Sequence, residues 1–177
     1  MRIPIAALPV CLFAFALPAM ADTVYSYTGN DFTSTLGAYT TSDSVSGSFT
    51  LATPLGDNFA FSTPIDVLSY SFTDGIDTIT DLNQSQPLTI DVATDSSGDI
   101  IEWAVVSISG DEHLGTVNAL GYTIDGGNFD LSSDAGWNLG SAGAWTAAPT
   151  PEPSSLLLLG TGVLGIAGIA RKRISME

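Results

Sequence analysis

The chain has 177 residues and a formal net charge of −15 at pH 7, with 19 acidic residues against four Lys and Arg residues. No Lys or Arg lies between Arg2 and Arg171, and 17 acidic residues lie between Asp22 and Asp134. A surface of this kind repels nucleic acid and anionic lipid headgroups, so the sequence predicts no nucleic-acid partner.

Residues 1–21 are predicted to be a secretory signal peptide. An apolar region extends from Ile5 to Leu17, and Ala19 and Ala21 form a small-x-small cleavage site. The alternative is an uncleaved N-terminal anchor, which the shortness of the apolar run argues against. The only cysteine, Cys11, lies in this segment, so the mature chain can form neither disulfides nor thiolate metal sites.

Residues 22–148 have the length of one domain. Apolar and polar residues alternate there with a period of two, which is typical of strands that bury one face. The predicted strands include Val24–Thr28, Ser44–Leu51, Val67–Thr73, Ile76–Thr80, Leu88–Ala93, Ile100–Ser109, Val117–Ile124 and Phe129–Ser132. Short strands separated by turn signals predict an all-β fold, a single antiparallel β-sandwich or jelly-roll-like domain.

Particular segments of this domain carry more specific predictions. Asp74–Gly75 is suited to a type I′ hairpin turn, and Ser96–Asp99 and Asp125–Asn128 are predicted to be further turns. Ile100–Ser109 is the most apolar strand, so we expect it to be central and buried on both faces. Trp137 and Trp145 lie in a Gly-rich segment that could close a sheet edge.

The sequence offers little support for catalysis. His113 is the only histidine, and Gly110–Gly115 around it is predicted to be an exposed loop. Glu102 is the acid most suited to glycoside hydrolysis, but a position at a strand end or an edge is the simpler interpretation. No G-x-S-x-G nucleophile motif is present. We therefore predict that the protein is not an enzyme.

Calcium is the better chemical candidate, because it binds carboxylate and carbonyl oxygens. Asp125, Asn128 and Asp130 offer such oxygens within one short segment. The segment does not match an EF-hand loop, and Asp, Asn and Gly populate turns without any metal. Both interpretations stay open, and no other cofactor is predicted.

Residues 149–177 have a composition unlike the rest of the chain. The parts in order are a Pro-rich spacer at 149–153 with Pro151, Glu152 and Pro153, an apolar run at 154–170, and the basic residues Arg171, Lys172 and Arg173. A helix over the apolar run would be about 25 Å long, slightly short of a ~30 Å hydrocarbon core. Residues 154–177 are thus predicted to be a transmembrane helix with a basic tail that stays in the cytoplasm. A buried core helix and a permanent anchor are the alternatives.

This order of Pro-Glu-Pro, apolar run and basic cluster over residues 151–173 resembles the PEP-CTERM sorting signal. Such signals occur in exported proteins of Gram-negative bacteria that make extracellular polysaccharide. The resemblance implies that exosortase, a membrane-embedded processing enzyme, recognises the signal and removes the tail. It also implies a transient anchor in the inner membrane, followed by release to the cell surface or the extracellular space.

Taken together, the sequence predicts an exported protein with a structural or adhesive role in a polysaccharide biofilm matrix. Exosortase and the inner membrane are its predicted partners, with extracellular polysaccharide as a further one. The alternative is a membrane-anchored module that binds Ca²⁺ or carbohydrate, and a secreted hydrolase is the third candidate. A carbohydrate-binding module should show exposed aromatic residues on one sheet face or loop rim.

Overall fold

A computed structural model describes residues 21–83, 88–109, 112–128 and 133–150, together with Gly160 and Gly162. The first four ranges contain eleven β-strands and no helix. The strands are β1 (Thr23–Thr28), β2 (Ser34–Leu36), β3 (Ser46–Leu51), β4 (Val67–Thr73), β5 (Thr78–Thr80), β6 (Thr89–Thr94), β7 (Ile100–Ser109), β8 (Glu112–Ala119), β9 (Tyr122–Gly127), β10 (Ala135–Leu139) and β11 (Ala144–Pro149). The predicted all-β class is confirmed.

The strands form two antiparallel sheets. Sheet A has the order β11-β1-β3-β4-β5, and sheet B has the order β2-β10-β9-β8-β7-β6. The sheets face each other, because Trp103 of sheet B packs against Tyr27 and Trp145 of sheet A with ring-centroid distances of 5.6 and 6.2 Å. The structure thus confirms the antiparallel sandwich that the alternating pattern predicts.

Aromatic side chains fill the space between the sheets. The Tyr25 ring stacks on the Phe49 ring at a centroid distance of 5.1 Å, and Trp145 meets Phe49 edge to face at 5.4 Å. Such pairs contribute about 0.5–1.5 kcal/mol each beyond the burial of their area. The fully buried large apolar side chains are Tyr27, Phe32, Phe49, Phe72, Val45, Val92 and Val105.

Strand β7 differs from its prediction. It lies between β6 and β8, one position from the edge of sheet B, and only one of its faces is buried. Trp103 and Val105 point into the core, whereas Ile101 and Ile108 are 51% and 59% exposed. The expectation that this strand is central and buried on both faces is wrong, because no second layer of described residues covers the outer face of the sheet.

The segment Val117–Ile124, predicted as one strand, is a hairpin. Strands β8 and β9 meet at a two-residue turn, since Ala119 pairs with Tyr122. Both turn residues have positive φ, 55° for Leu120 and 83° for Gly121, as a type I′ turn requires. The sequence does not predict this turn, because leucine is uncommon at turn positions that require positive φ.

The predicted turn at Asp125–Asn128 and the predicted loop around His113 are also wrong. Asp125 lies within β9, which continues to Gly127, so the predicted turn at Asp125–Asn128 is mostly strand. The predicted loop around His113 is mostly strand β8, where His113 pairs with Ile108. In both segments tertiary pairing with a neighbouring strand overrides local turn propensity.

The predicted hairpin at Asp74–Gly75 is present, but its turn is longer than two residues. Strands β4 and β5 pair as far as Thr73 and Thr78, which leaves four residues in the loop. The Asp74 Oδ1 atom accepts hydrogen bonds from the backbone N–H groups of Ile76 and Asp77, and Gly75 alone in this loop has positive φ. The aspartate side chain therefore builds the turn, as Asx turns do.

The strained turn at Leu120 gives a first prediction. Leu120→Asn should stabilise the domain by about 1 kcal/mol, because asparagine adopts the left-handed conformation more readily than leucine. A thermal melt should show the higher melting temperature. Leu82→Asn is the matched control, since Leu82 is 91% exposed and does not have positive φ. Equal melting temperatures for the two variants would contradict the strain.

Candidate functional site

The most unusual chemical feature of the core is a buried carboxylate. Asp125 is only 1% exposed, and both of its oxygens lie 2.8 Å from the Tyr27 hydroxyl, which donates to them. The Tyr27 oxygen in turn accepts a hydrogen bond from the Gly143 N–H at 2.9 Å. This contact joins strand β9 of sheet B to strand β1 of sheet A and to the loop before β11.

Neighbouring groups complete this cluster. The Thr116 hydroxyl lies opposite Asp125 on the paired strand and interacts with its carboxylate, while the Trp103 indole N–H donates to the Thr116 oxygen at 2.8 Å. Burial raises the pKa of Asp125 above its usual range, and the hydrogen bonds from Thr116 and Tyr27 offset part of that rise. Burial also raises the pKa of Tyr27, so its hydroxyl stays protonated and remains a donor.

A second buried carboxylate lies near the β4–β5 turn. Asp74 is 1% exposed, and its Oδ2 atom accepts a hydrogen bond from the Tyr39 hydroxyl at 2.6 Å. A side chain at Gly127 would collide with the Asp74 carboxylate, so the glycine makes room for this pair. Burial, followed by the charge of Asp74, raises the pKa of Asp77.

Both clusters pair an aspartate with a tyrosine, and neither contains a cation. A buried carboxylate needs hydrogen-bond donors or an opposite charge, and a domain without Lys or Arg must use neutral donors. Across the residues that the structure describes, no group of three or more His, Cys, Asp or Glu side chains is placed to hold a metal ion. Both clusters are polar contacts between separate parts of the sandwich: Tyr27–Asp125 joins β1 to β9, and Tyr39–Asp74 joins the loop before β3 to the β4–β5 turn.

The predicted calcium ligands do not converge in the described part of the chain. Asp125 is engaged in the core, and the Asn128 Oδ1 atom accepts a hydrogen bond from the His113 N–H at 3.2 Å. Asn128 has a positive φ of 51°, which asparagine tolerates better than most residues. Asp130 lies outside the described residues.

The structure does not bring Glu102 and His113 together. Glu102 is exposed near the start of β7, and His113 is half-buried on β8 opposite Ile108. Ile108 lies six positions after Glu102 in β7, which corresponds to about 20 Å along a strand. The two side chains therefore belong to opposite ends of sheet B.

The segment before the predicted sorting motif belongs to the sheet. Strand β11 is the edge strand of sheet A and pairs with β1 from Ala144 to Pro149. The Thr150 N–H then donates to the Asp22 carbonyl oxygen at 2.7 Å. The first residue of the predicted mature chain and the last residue before the motif are thus hydrogen-bonded to each other.

Comparison with known proteins identifies the segment that begins at the end of β11. The sequence model of the PEP-CTERM protein-sorting motif matches residues 149–173. The chain is a PEP-CTERM domain-containing protein. The motif marks it as an exported protein of a Gram-negative bacterium, with a membrane-anchored sorting signal that exosortase processes. No curated protein and no solved structure matches the chain.

Several predicted site residues lie outside the described part of the PEP-CTERM protein. They are Ala19, Pro151, Glu152, Pro153, Arg171, Lys172 and Arg173, whereas Ala21 is the first described residue of the chain. Within the described residues no helix is long and apolar enough to cross a membrane. The segment predicted to cross, 154–170, lies outside them apart from Gly160 and Gly162.

Proposed function

We propose that exosortase releases this protein from the inner membrane and that the β-sandwich then has a structural or adhesive role in an extracellular polysaccharide matrix. The observation that carries the proposal is the match to the sorting motif at 149–173, which begins at the last residue of the edge strand β11. The C-terminal tail serves as a transient membrane anchor, and the β-sandwich domain is the part of the chain that is released.

The side chains of the domain support a structural role over a binding or catalytic one. The buried carboxylates Asp74 and Asp125 are both occupied by tyrosine donors. Tyr122, at 75% exposed, is the one strongly exposed aromatic side chain among the described residues. A carbohydrate-binding face built on stacking needs several such rings, so the alternative of a membrane-anchored carbohydrate module is less well supported.

The mass of the extracellular product tests this proposal. We expect intact-mass spectrometry of protein from the culture medium to show a chain that begins at Asp22 and lacks Leu156–Glu177. Processing at the motif requires the tripeptide, so replacing Pro151, Glu152 and Pro153 with alanine should leave the tail attached and the protein in the membrane fraction.

A strain without exosortase provides the control, and its protein should also keep the tail. An extracellular product that retains the tail would contradict the processing step and would favour a permanent anchor. A released protein that does not co-purify with the polysaccharide matrix would contradict the matrix role.

A further inference from the structure

The connection between β3 and β4, residues 52–66, is the longest one between described strands of the domain. Strands β3 and β4 are neighbours in sheet A, so a tight hairpin turn would be enough to join them. Connections of this length without secondary structure are uncommon in compact domains, and those that occur often carry a function. Here the loop lines a cavity of ≈ 300 Å³ that opens to solvent.

Hydrogen bonds hold the loop 52–66 in one shape. The Thr94 hydroxyl, at the end of β6, donates to the Gly56 carbonyl oxygen at 2.6 Å and accepts from the Phe59 N–H at 2.9 Å. The Tyr25 hydroxyl accepts from the Leu55 N–H at 2.8 Å. The loop is thereby tied to strands of both sheets, β1 of sheet A and β6 of sheet B. The cavity is therefore preformed, as binding sites usually are.

The backbone of the loop 52–66 includes two residues in the left-handed region. Ser62 has a φ of 61°, and Asn58 has a φ of 53°. Asparagine tolerates this region, whereas serine adopts it at a cost. Strained residues persist where the surrounding structure fixes them, and they cluster at ligand-binding sites. The conformation of this loop is thus costly to keep, and joining β3 to β4 does not require it.

Apolar side chains form most of the cavity. Leu51 and Leu55 are buried, and Phe59 and Ile65 are half-buried against the same core. Asp66, which is exposed, is the one charged residue among the described residues that line the cavity. Apolar walls with an aromatic ring and a carboxylate suit a ligand that has an apolar stem and a cationic end.

The domain has no Lys or Arg of its own that could enter this cavity. None lies between Arg2 and Arg171, and the single histidine, His113, lies on β8 of sheet B. Asp57, also exposed, adds a further negative charge to the same loop. Such a surface repels anions, and a second copy of the domain offers no Lys or Arg either. A cation that pairs with Asp66 therefore has to come from another molecule.

From the cavity and its charge we propose that the loop 52–66 binds a lysine or arginine side chain on a basic segment of a partner protein. The aliphatic stem packs on Ile65 and Leu55, and the cationic group reaches the Phe59 ring and the Asp66 carboxylate. A volume of ≈ 300 Å³ is at the lower end of the range for small-molecule sites, which fits one side chain better than a cofactor. The basic cluster of this chain is predicted to stay in the cytoplasm, so the partner is a different protein. The inference goes beyond the proposed matrix role, since it names a protein partner and does not depend on polysaccharide.

An NMR titration of the full chain in dodecyl maltoside micelles tests the site. The probe is a short glycine–serine peptide with one arginine, and the reference is the same peptide with citrulline, which has the same shape but no charge. We expect the arginine peptide to shift the amide resonances of residues 51–66. The citrulline peptide should bind about tenfold more weakly, because it loses both the ion pair and the cation–π contact.

Two variants locate the contact on the domain. Asp66→Asn should weaken binding of the arginine peptide about two- to fivefold, because it removes the charge and keeps the shape of the side chain. Asp31→Asn is the matched control, since it removes an exposed carboxylate just before β2, at the edge of sheet B opposite to β6. We expect the control to leave binding unchanged. The dispersion of the amide resonances first establishes that each variant is folded.

The possible outcomes separate this site from general attraction to an acidic domain. Equal weakening by Asp66→Asn and Asp31→Asn, or shifts spread over the whole surface, would overturn the site. Equal binding of the citrulline and arginine peptides would overturn the need for charge, and this comparison uses the unaltered chain, so it does not depend on a variant that folds. Spermidine that binds more tightly than a peptide of equal charge with three arginines would indicate a small-molecule site and would overturn the protein partner. Shifts confined to the loop that depend on Asp66 and on the arginine charge would support the proposal.

Discussion

Replacing Tyr27 with phenylalanine should lower the free energy of unfolding by about 1–3 kcal/mol, the cost of leaving a buried polar group without its partner. The Tyr27 hydroxyl donates to both Asp125 oxygens at 2.8 Å and accepts from the Gly143 N–H. Phenylalanine fills the same space but removes both interactions. Asp125, at 1% exposed, cannot recover the lost donor from solvent without opening the sandwich.

Urea denaturation would measure the effect, which corresponds to a midpoint lower by about 1 M at the usual slope of about 1–3 kcal/mol per M. Tyr122→Phe is the matched control because it deletes the same atom from a side chain that is 75% exposed. We expect the control to change stability by less than about 0.5 kcal/mol. Two variants with equal midpoints would show that the tyrosine–aspartate pair does not hold the sheets together.

The sequence is sufficient to predict the class of fold, because burial on one face of a strand requires apolar residues at every second position. In β1 that pattern places Tyr25 and Tyr27 in the core and leaves Val24 and Ser26 half-buried. The same reasoning fails for β7, whose continuous apolar run suggests two buried faces. Nothing in a single strand tells whether a further layer covers the outer side of its sheet.

The sequence alone could not predict the clusters in the core. Tyr27 and Asp125 are 98 residues apart, and their contact depends on how two sheets pack. The local sequence around Asp125, with two glycines and an asparagine after it, favours a turn. Strand pairing with Thr116 and Asn138 instead places this carboxylate inside the sandwich.

The charge composition of the domain does favour buried tyrosine–aspartate pairs. A domain with 17 carboxylates, no Lys or Arg and a single histidine offers almost no cation for a buried acid. A buried aspartate is then satisfied mainly by neutral donors, and tyrosine is the most apolar side chain that offers one. The sorting motif differs from these clusters because its residues are contiguous in the sequence, so its identification needed no tertiary structure.

Because the domain lacks Lys and Arg, we expect its stability to rise, and not to fall, as the pH decreases from neutrality. Burial raises the pKa of Asp125, and burial together with the charge of Asp74 raises that of Asp77. As the pH falls from neutrality, the folded state takes up protons before the unfolded state does, so stability rises with falling pH. The gain ends near pH ~4, where the carboxylates of the unfolded chain are protonated as well. Domains whose carboxylates form ion pairs show the opposite trend over this range.

Melting temperatures at constant ionic strength between about pH 7 and pH 4.5 would measure this response, because the slope of stability with pH reports the difference in bound protons between the two states. Asp125→Asn removes the buried titrating group and should flatten the slope. Asp81→Asn removes an exposed carboxylate instead and should leave most of the slope in place. A melting temperature that decreases steadily as the pH falls from neutrality would mean that Asp125 is ionised and well satisfied in the folded state. Its tyrosine and threonine donors would then outweigh the cost of its burial.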